Sequence, residues 1–146
     1  MVSTNIADFS KAIDIFVDQV VPEQVLLFQR RLAFDVLVPM VQNTPVRTGR
    51  AKGAYIVSNG SPSSRTVPER KLRKGQGRKS DAESQAIERR AIDEASKAIG
   101  QAVPFGVIWI SNNVEYILFL EEGTAKIAPF AMAANALNEV RAKFGG

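Results

Sequence analysis

Apolar residues recur every three or four positions along the first 42 residues, which is the spacing of an amphipathic helix. The pattern predicts a helix over residues 4–21, with an apolar stripe of Ile6, Phe9, Ile13, Phe16, Val17 and Val20. A second helix is predicted over residues 22–42, and it is apolar on more than one side, as in a helix buried in a core or at a subunit contact. Pro22 suits its first turn, and Pro39 should kink its last turn. The sequence leaves open whether these segments form one kinked helix or a pair.

The same spacing predicts two further helices, at residues 80–100 and 128–144. Ser80 and Glu83 have the spacing of a capping box at the start of the first of these, and Gly100 suits its end. Pro129 is expected in the first turn of the last helix, because a proline there loses no helical hydrogen bond.

Alternating apolar residues predict a short strand at residues 54–57 and a longer one at 103–111. Both faces of the longer strand become apolar towards its end, so we expect it to be central or covered on both faces. Residues 114–120 are ambiguous between strand and helix, and residues 59–64 form a loop by composition. Together these elements predict one α+β domain over residues 1–146, with a small antiparallel sheet packed against N- and C-terminal helices and an inserted basic arm and helix.

Composition excludes several classes of chemistry. The chain contains no cysteine and no histidine, which excludes a disulfide scaffold, a thiolate metal site, a cysteine nucleophile and a Ser-His-Asp triad. The carboxylates fit solvated helix faces, and Gly49 and Gly53 lack the spacing of a phosphate-binding loop. We therefore predict a protein that is not an enzyme and that uses no cofactor or metal.

No apolar run reaches the ~20 residues of a membrane span, and no secretory signal pattern is present, so we expect folding in the cytoplasm and no membrane partner.

Positive charge is concentrated in the middle of the chain. Residues 47–79 contain ten basic residues and one acid, a net charge of +9, whereas the remainder carries nine basic and fourteen acidic residues, a net charge of −5. The insertion at about residues 59–80 has no periodic apolar set, so we expect it to be mobile. We call residues 65–79 the basic segment; its basic residues are Arg65, Arg70, Lys71, Arg73, Lys74, Arg78 and Lys79. Three roles fit this segment equally well, namely contact with DNA phosphates, contact with an acidic neighbouring subunit, and plain solvation.

Two motifs resemble those of a known family. The first is Thr-Pro-Val-Arg-Thr-Gly-Arg at residues 44–50, followed by a predicted strand. The second is Val-Glu-Tyr-Ile-Leu-Phe-Leu-Glu-Glu-Gly-Thr at residues 114–124, followed by Pro129 and Phe130 before a last helix. Their order and separation are similar to those of the phage neck or tail-completion family, whose members are described as head–tail joining or minor tail proteins.

The resemblance implies a structural virion protein of a long-tailed phage, made in the cytoplasm of the host bacterium and placed at the head–tail junction. It would form a homo-oligomeric ring, expected to be hexameric, between the head-side connector or head-closure protein and the tail terminator or tail tube, with DNA passing through the lumen. A neighbouring neck ring, either a tail terminator or a head-closure protein, is one alternative. A small basic protein that binds DNA without sequence specificity is the other.

In this interpretation the motifs shape the ring subunit and are not catalytic. The residues expected to shape it are Thr44, Pro45, Thr48, Gly49, Gly123, Thr124, Pro129 and Phe130. The candidates for the contact between subunits are Arg47, Arg50, Tyr116, Glu121 and Glu122. We expect the acids of one subunit to meet Arg47 or Arg50 of the next, since unlike faces meet in cyclic head-to-tail packing.

Overall fold

The computed structural model describes residues 5–68 and 79–145. The fold is α+β and combines helices with a two-stranded antiparallel sheet. In chain order the elements are α1 (Ile6–Ile15), a π-helical turn (Phe16–Val20), α2 (Val21–Asn43), a 3₁₀ turn (Lys52–Ala54), β1 (Tyr55–Asn59), α3 (Asp81–Gly100), β2 (Ile108–Asn112), α4 (Ile117–Glu122) and α5 (Met132–Lys143).

One continuous helical rod runs from α1 into α2. The residues that join the helical segments, Phe16, Val20 and Val21, all have right-handed helical backbone angles. Pro22 has no N–H to donate to the preceding turn, and the N–H of Val21 instead donates to the carbonyl of Phe16, five residues back. The local widening into a π turn therefore absorbs the proline without breaking the rod. Of the two arrangements that the sequence left open, the structure has the single interrupted helix.

The core lies where α2 and α3 pack with the sheet. Strands β1 and β2 pair in antiparallel register, from Tyr55 opposite Asn112 to Asn59 opposite Ile108. Helix α5 packs on α2 and buries Met132 and Ala136. The buried cluster between α2, β1 and α3 comprises Ala33, Leu37, Val41, Tyr55, Val57, Ala91, Ala95 and Ile99.

Helix α3 begins where the sequence predicts. The Ser80 side chain accepts a hydrogen bond from the N–H of Glu83, and the Glu83 carboxylate accepts one from the N–H of Ser80. This reciprocal pair lowers the pKa of Glu83, chiefly because the backbone and the hydroxyl of Ser80 donate to the ionised form. Gly100 is the last residue of the helix, as expected, and Gln101 caps the end.

The predicted strand at residues 103–111 is wrong in length and surroundings. Residues before Ile108 turn instead: the N–H of Gly106 donates to the carbonyl of Val103 at 3.0 Å, and Phe105 has a positive φ of 59°. Strand β2 pairs only with β1 among the described residues, and Trp109 on it is 40% exposed. The strand is therefore neither central nor covered on both faces, and its apolar residues extend to the surface.

Two further segments differ from the prediction or resolve it. The ambiguous residues 114–120 lead into helix α4. The last helix begins at Met132 rather than at residue 128, because Ala131 has left-handed backbone angles (φ 47°). The N–H groups of Phe130 and Ala131 donate to the carbonyls of Leu120 and Glu121. Pro129 therefore belongs to the connection before the helix and not to its first turn.

Candidate functional site

The first motif turns tightly between α2 and β1. Thr44 is buried, its hydroxyl donates to the carbonyl of Met40 at 2.6 Å, and its Oγ1 lies 2.9 Å from the hydroxyl of Tyr55. Gly49 has a φ of +80°, which glycine adopts without strain. A Cβ at that position would press into the side chain of Ile87 on α3. Thr44 thus caps the end of α2, and Gly49 lets α3 approach the backbone closely.

Arg50 joins the first motif to the second. Its guanidinium donates to both carboxylate oxygens of Glu115, at 2.7 Å and 3.0 Å, and also to the carbonyl of Val67. The Arg50 side chain is 7% exposed and lies over the ring of Tyr116, 6.0 Å from its centroid. The hydrogen bonds from Arg50 are the main reason that the pKa of Glu115 is lowered. A buried guanidinium with this many partners is fixed in place and holds residues 65 positions apart together.

The second motif forms a closed connection into α5. Both carboxylate oxygens of Glu121 accept hydrogen bonds, each 3.0 Å long, from the N–H groups of Ala133 and Ala134 in the first turn of α5. Gly123 has a φ of +77°, and a Cβ there would lie 2.7 Å from the carbonyl oxygen of Ile127 and from the nitrogen of Pro129. The N–H of Thr124 donates to the same carbonyl at 2.8 Å. These contacts fix the second motif to the N-terminus of α5.

These internal partners bear on the expected contact between subunits, which itself stays a prediction. Arg50 and Glu121 are both engaged within the chain, so a pairing between them across subunits would require breaking those internal bonds. Arg47 in the first motif and Glu122 in the second are both exposed and carry opposite charges, so a contact between subunits can use them without breaking the internal bonds. Tyr116 is half-buried beside Arg50 and supports the internal contact.

The structure describes residues 65–68 and residue 79 of the basic segment, so Arg65 and Lys79 are the basic residues of this segment that it describes. Arg70, Lys71, Arg73, Lys74 and Arg78, and the predicted mobility of this stretch, lie outside the described residues. The chain leading into it is held to the body, since the amide of Asn113 donates to the carbonyls of Ser63 and Arg65. The Lys79 ammonium pairs with Glu83 at 3.3 Å. Arg65 is exposed and available to a partner.

Among the described basic residues in the middle of the chain, Arg50 and Lys52 do not contribute to a charged surface. Arg50 is internal, and Lys52 is 4% exposed. The Lys52 ammonium donates to the carbonyl of Gln42 at 3.3 Å and to the carboxylate of Glu88 at 3.4 Å. These buried cations fasten the 3₁₀ turn to α2 and α3, so the charge that a polyanion can meet is smaller than the sequence count suggests.

Sequence reasoning missed two features with a bearing on function. Glu115 stood in the second motif but was not identified as the partner of Arg50, because nothing local links positions 65 residues apart. Gln29 was also missed: its side-chain amide donates to the carbonyl of Gly106 at 2.7 Å and accepts from the N–H of Phe105 at 3.0 Å. This two-way contact holds the turn before β2 against α2. Gln29 stands in the polar run Gln29-Arg30-Arg31, and nothing in that run points to a partner 76 residues away.

Comparison of the chain with protein-family models, curated proteins and solved structures gives no significant match. Within the described ranges, no helix is both long and apolar enough to cross a membrane. The same residues contain no group of three or more acidic side chains placed to hold a metal ion.

Proposed function

We propose that this chain is a structural virion protein that forms a hexameric ring at the head–tail junction of a long-tailed phage. Its ring would complete the tail or neck and join it to the head-side connector or head-closure protein on one side and to the tail terminator or tube on the other. Genome DNA would pass through the lumen. The resemblance of the two motifs to the tail-completion family supplies this assignment, and the surface of the molecule supports it.

The observation that carries the proposal is the apolar surface left uncovered on a single chain. Every residue from 5 to 20 is exposed, including Phe9 at 62% and Phe16 at 53%. Phe105, at 67%, and Val107, at 54%, add apolar area at the turn before β2. A monomer in water rarely keeps apolar surface of this extent, whereas a subunit of an assembly buries it against its neighbours.

The contacts between the two motifs support a structural role for them. Arg50 and Glu115 connect the motifs, Glu121 anchors α5, and the positive-φ glycines at 49 and 123 allow close backbone approach. Each contact shapes and fixes the subunit. Side chains used in this way keep a rigid surface for a neighbouring protein, which agrees with the role that the resemblance implies.

Electron microscopy of a lysate from a phage lacking only this gene tests the proposal. We expect filled heads beside separate tails of full length, with attachment restored by the gene supplied from a plasmid. Tails of uncontrolled length would move the protein to tail termination, and empty heads would move it to head closure. Normal infectious particles would contradict the proposal.

The segregation of charge favours one second function, non-specific binding to DNA in solution. A free DNA-binding protein with several phosphate contacts loses affinity steeply as salt rises. Binding of the full chain to random-sequence duplex DNA, measured by fluorescence anisotropy over a series of salt concentrations, distinguishes the two functions. Tight binding with a steep salt slope favours the DNA-binding protein, and weak binding favours the ring subunit.

A further inference from the structure

Residues 5–20 form an arm that projects from the body. They comprise α1 and the π turn, and we call them the N-terminal arm. At 1.5 Å per residue the helical part of the arm is roughly 22 Å long. No residue of the arm is buried, and its apolar residues recur at steps of three and four on one side. The acids Asp8, Asp14 and Asp18 and the single base Lys11 lie on the other side, together with Ile15. The arm therefore has one apolar face that the described residues of its own chain leave uncovered.

A second uncovered apolar feature lies on the body. Helix α2 and the start of β2 enclose a groove of about 410 Å³. Its apolar lining consists of Leu32, Ala33, Val36, Val107, Ile108 and Ile110. Gln29 fixes one wall, because it bonds to both Phe105 and Gly106. The groove is therefore held open in shape before any partner arrives, which lowers the entropic cost of binding.

The arm of a chain cannot fill the groove of the same chain. The rod is continuous, and it carries the arm away from the groove, which begins at Gln29 on the far side of the π turn. Residue 20 is roughly 13 Å from position 29 along the helix axis, and residue 6 is roughly 35 Å away. Folding back would require unwinding the helix at its junction with α2. A different copy of the chain can supply the arm with no such change.

The apolar area is adequate for a stable contact. The six stripe residues of the arm are between 39% and 82% exposed. At roughly 100 Å² each they present about 600 Å², which is most of the about 800 Å² that each partner contributes to an interface of standard size. The exposed side chains of Phe105 and Val107 beside the groove extend the surface that an arm would cover.

We propose that the N-terminal arm of one copy docks in the groove between α2 and β2 of the next copy. The two surfaces are different patches of one molecule, so the contact is head-to-tail, and such contacts close into rings when the rotation between copies allows it. This inference rests on the proposed function only for the size of the assembly. The docking itself is a property of the isolated protein.

Complementary variants test the docking. Phe9→Glu places a charge on the arm, and Val107→Glu places one at the rim of the groove; both positions are exposed, so folding is preserved and is checked by circular dichroism. We expect the unaltered chain to self-associate in analytical ultracentrifugation and each variant to be monomeric. An equimolar mixture of the two variants should form a 1:1 dimer and nothing larger, because one intact arm and one intact groove remain in the mixture.

Disulfide trapping gives a second measurement, since the chain has no cysteine of its own. Mixing an Ile13→Cys chain with a Val107→Cys chain under mild oxidation should give a crosslinked heterodimer. A mixture of Ile13→Cys with Leu118→Cys, which is 63% exposed on α4 outside both surfaces, is the matched control. A yield of crosslinked heterodimer no higher than that of this control overturns the proposal. A Val107→Glu chain that assembles like the unaltered chain also overturns it, and would indicate that the arms contact one another instead.

The two proposals can fail separately. Trapped arm-to-groove dimers together with normal particles from the gene-deletion phage would keep the docking and reject the neck ring. Separated heads and tails in the deletion phage, restored fully by the Phe9→Glu gene, would keep the neck ring and reject the docking.

Discussion

Gly49 and Gly60 share a backbone conformation but have different surroundings. Their φ angles are +80° and +84°. A Cβ at position 49 would press into Ile87, whereas nothing lies within 4 Å of a Cβ at position 60. An alanine at position 60 therefore tests the strain of a left-handed backbone alone. An alanine at position 49 tests the same strain together with the close packing of α3 against the first motif.

We expect Gly60→Ala to lower the free energy of unfolding by about 1 kcal/mol, through backbone strain alone. Gly49→Ala should lower it by about 2–4 kcal/mol, since overpacking adds to the same strain. Urea denaturation followed by the fluorescence of Trp109 measures both. Adding Ile87→Val to Gly49→Ala should recover part of the loss, because valine lacks the obstructing Cδ1. Equal losses at positions 49 and 60 would contradict the close approach of α3.

The contact between Arg50 and Glu115 makes the free energy of unfolding depend on pH. Arg50 lowers the pKa of Glu115 below its ordinary value of 4.5 in the folded chain. The ionised carboxylate therefore stabilises the fold at pH values above 4.5, and this contribution is lost as the pH falls through the lowered folded pKa. At neutral pH, Glu115→Gln leaves a buried guanidinium without its charged partner.

We expect Glu115→Gln to unfold at a lower urea concentration than the unaltered chain at pH 7. The difference should shrink in acid and close once Glu115 of the unaltered chain is protonated. Glu122→Gln, which changes an exposed carboxylate of the same motif, is the control and should leave the urea midpoint unchanged. A difference for Glu115→Gln that stays constant from pH 7 to about pH 3 would show that its carboxylate does not titrate with folding.

At the scale of elements, the capping box of α3 decides where that helix begins. The hydroxyl of Ser80 satisfies an N–H of the first turn that has no partner within the helix. We expect Ser80→Ala to lower the free energy of unfolding by about 1 kcal/mol and to speed amide hydrogen exchange at Glu83. Gln85→Ala on the exposed side of the same helix is the control. Unchanged exchange at Glu83 in the Ser80 variant would contradict the cap.

The turn before β2 depends on a single side chain of α2. Gln29 makes one hydrogen bond to the carbonyl of Gly106 and one from the N–H of Phe105. We expect Gln29→Ala to lower the free energy of unfolding by about 1–2 kcal/mol and to speed hydrogen exchange of the Phe105 amide, which then loses its acceptor. Gln24→Ala, at an exposed position on the same helix, should change neither quantity. If the Phe105 amide stays protected from hydrogen exchange in Gln29→Ala, the proposed role of Gln29 in holding this turn is contradicted.

Elements with local signals could be predicted from the sequence, and those fixed by distant contacts could not. The capping box at Ser80 acts within three residues, so α3 was placed correctly. The strand predicted at residues 103–111 was too long, because its alternating apolar residues gave no sign of the turn that Gln29, far away in the sequence, holds at Phe105 and Gly106. Pro129 suggested a helix start, but the carbonyls of Leu120 and Glu121 hold the next residues out of the helix. The bond between Arg50 and Glu115 needed the folded chain to bring the motifs together.

At the scale of the whole molecule, one rod contains two kinds of apolar residue. Leu37 is fully buried in the core, whereas Phe9 and Ile13 are exposed on the arm. We expect Leu37→Ala to lower the free energy of unfolding by about 2–5 kcal/mol. Phe9→Gln and Ile13→Gln should each change it by less than about 0.5 kcal/mol. Thermal and urea unfolding of dilute samples compares them, and a large loss on substitution in the arm would show that the arm packs on its own body.

The π turn sets the direction in which the arm faces. A π turn holds about one residue more than an α-helical turn, and one residue corresponds to a rotation of roughly 100° about the helix axis. Deletion of one residue between Phe16 and Val20 would return this turn to the α-helical count and keep the direction of the stripe. A further inserted residue that the turn does not absorb would instead swing the apolar stripe by about a quarter of a revolution and leave the body untouched. The number of residues in this turn thus sets the angle between the apolar face of the arm and the body. One added codon there would redirect assembly without altering a single contact residue.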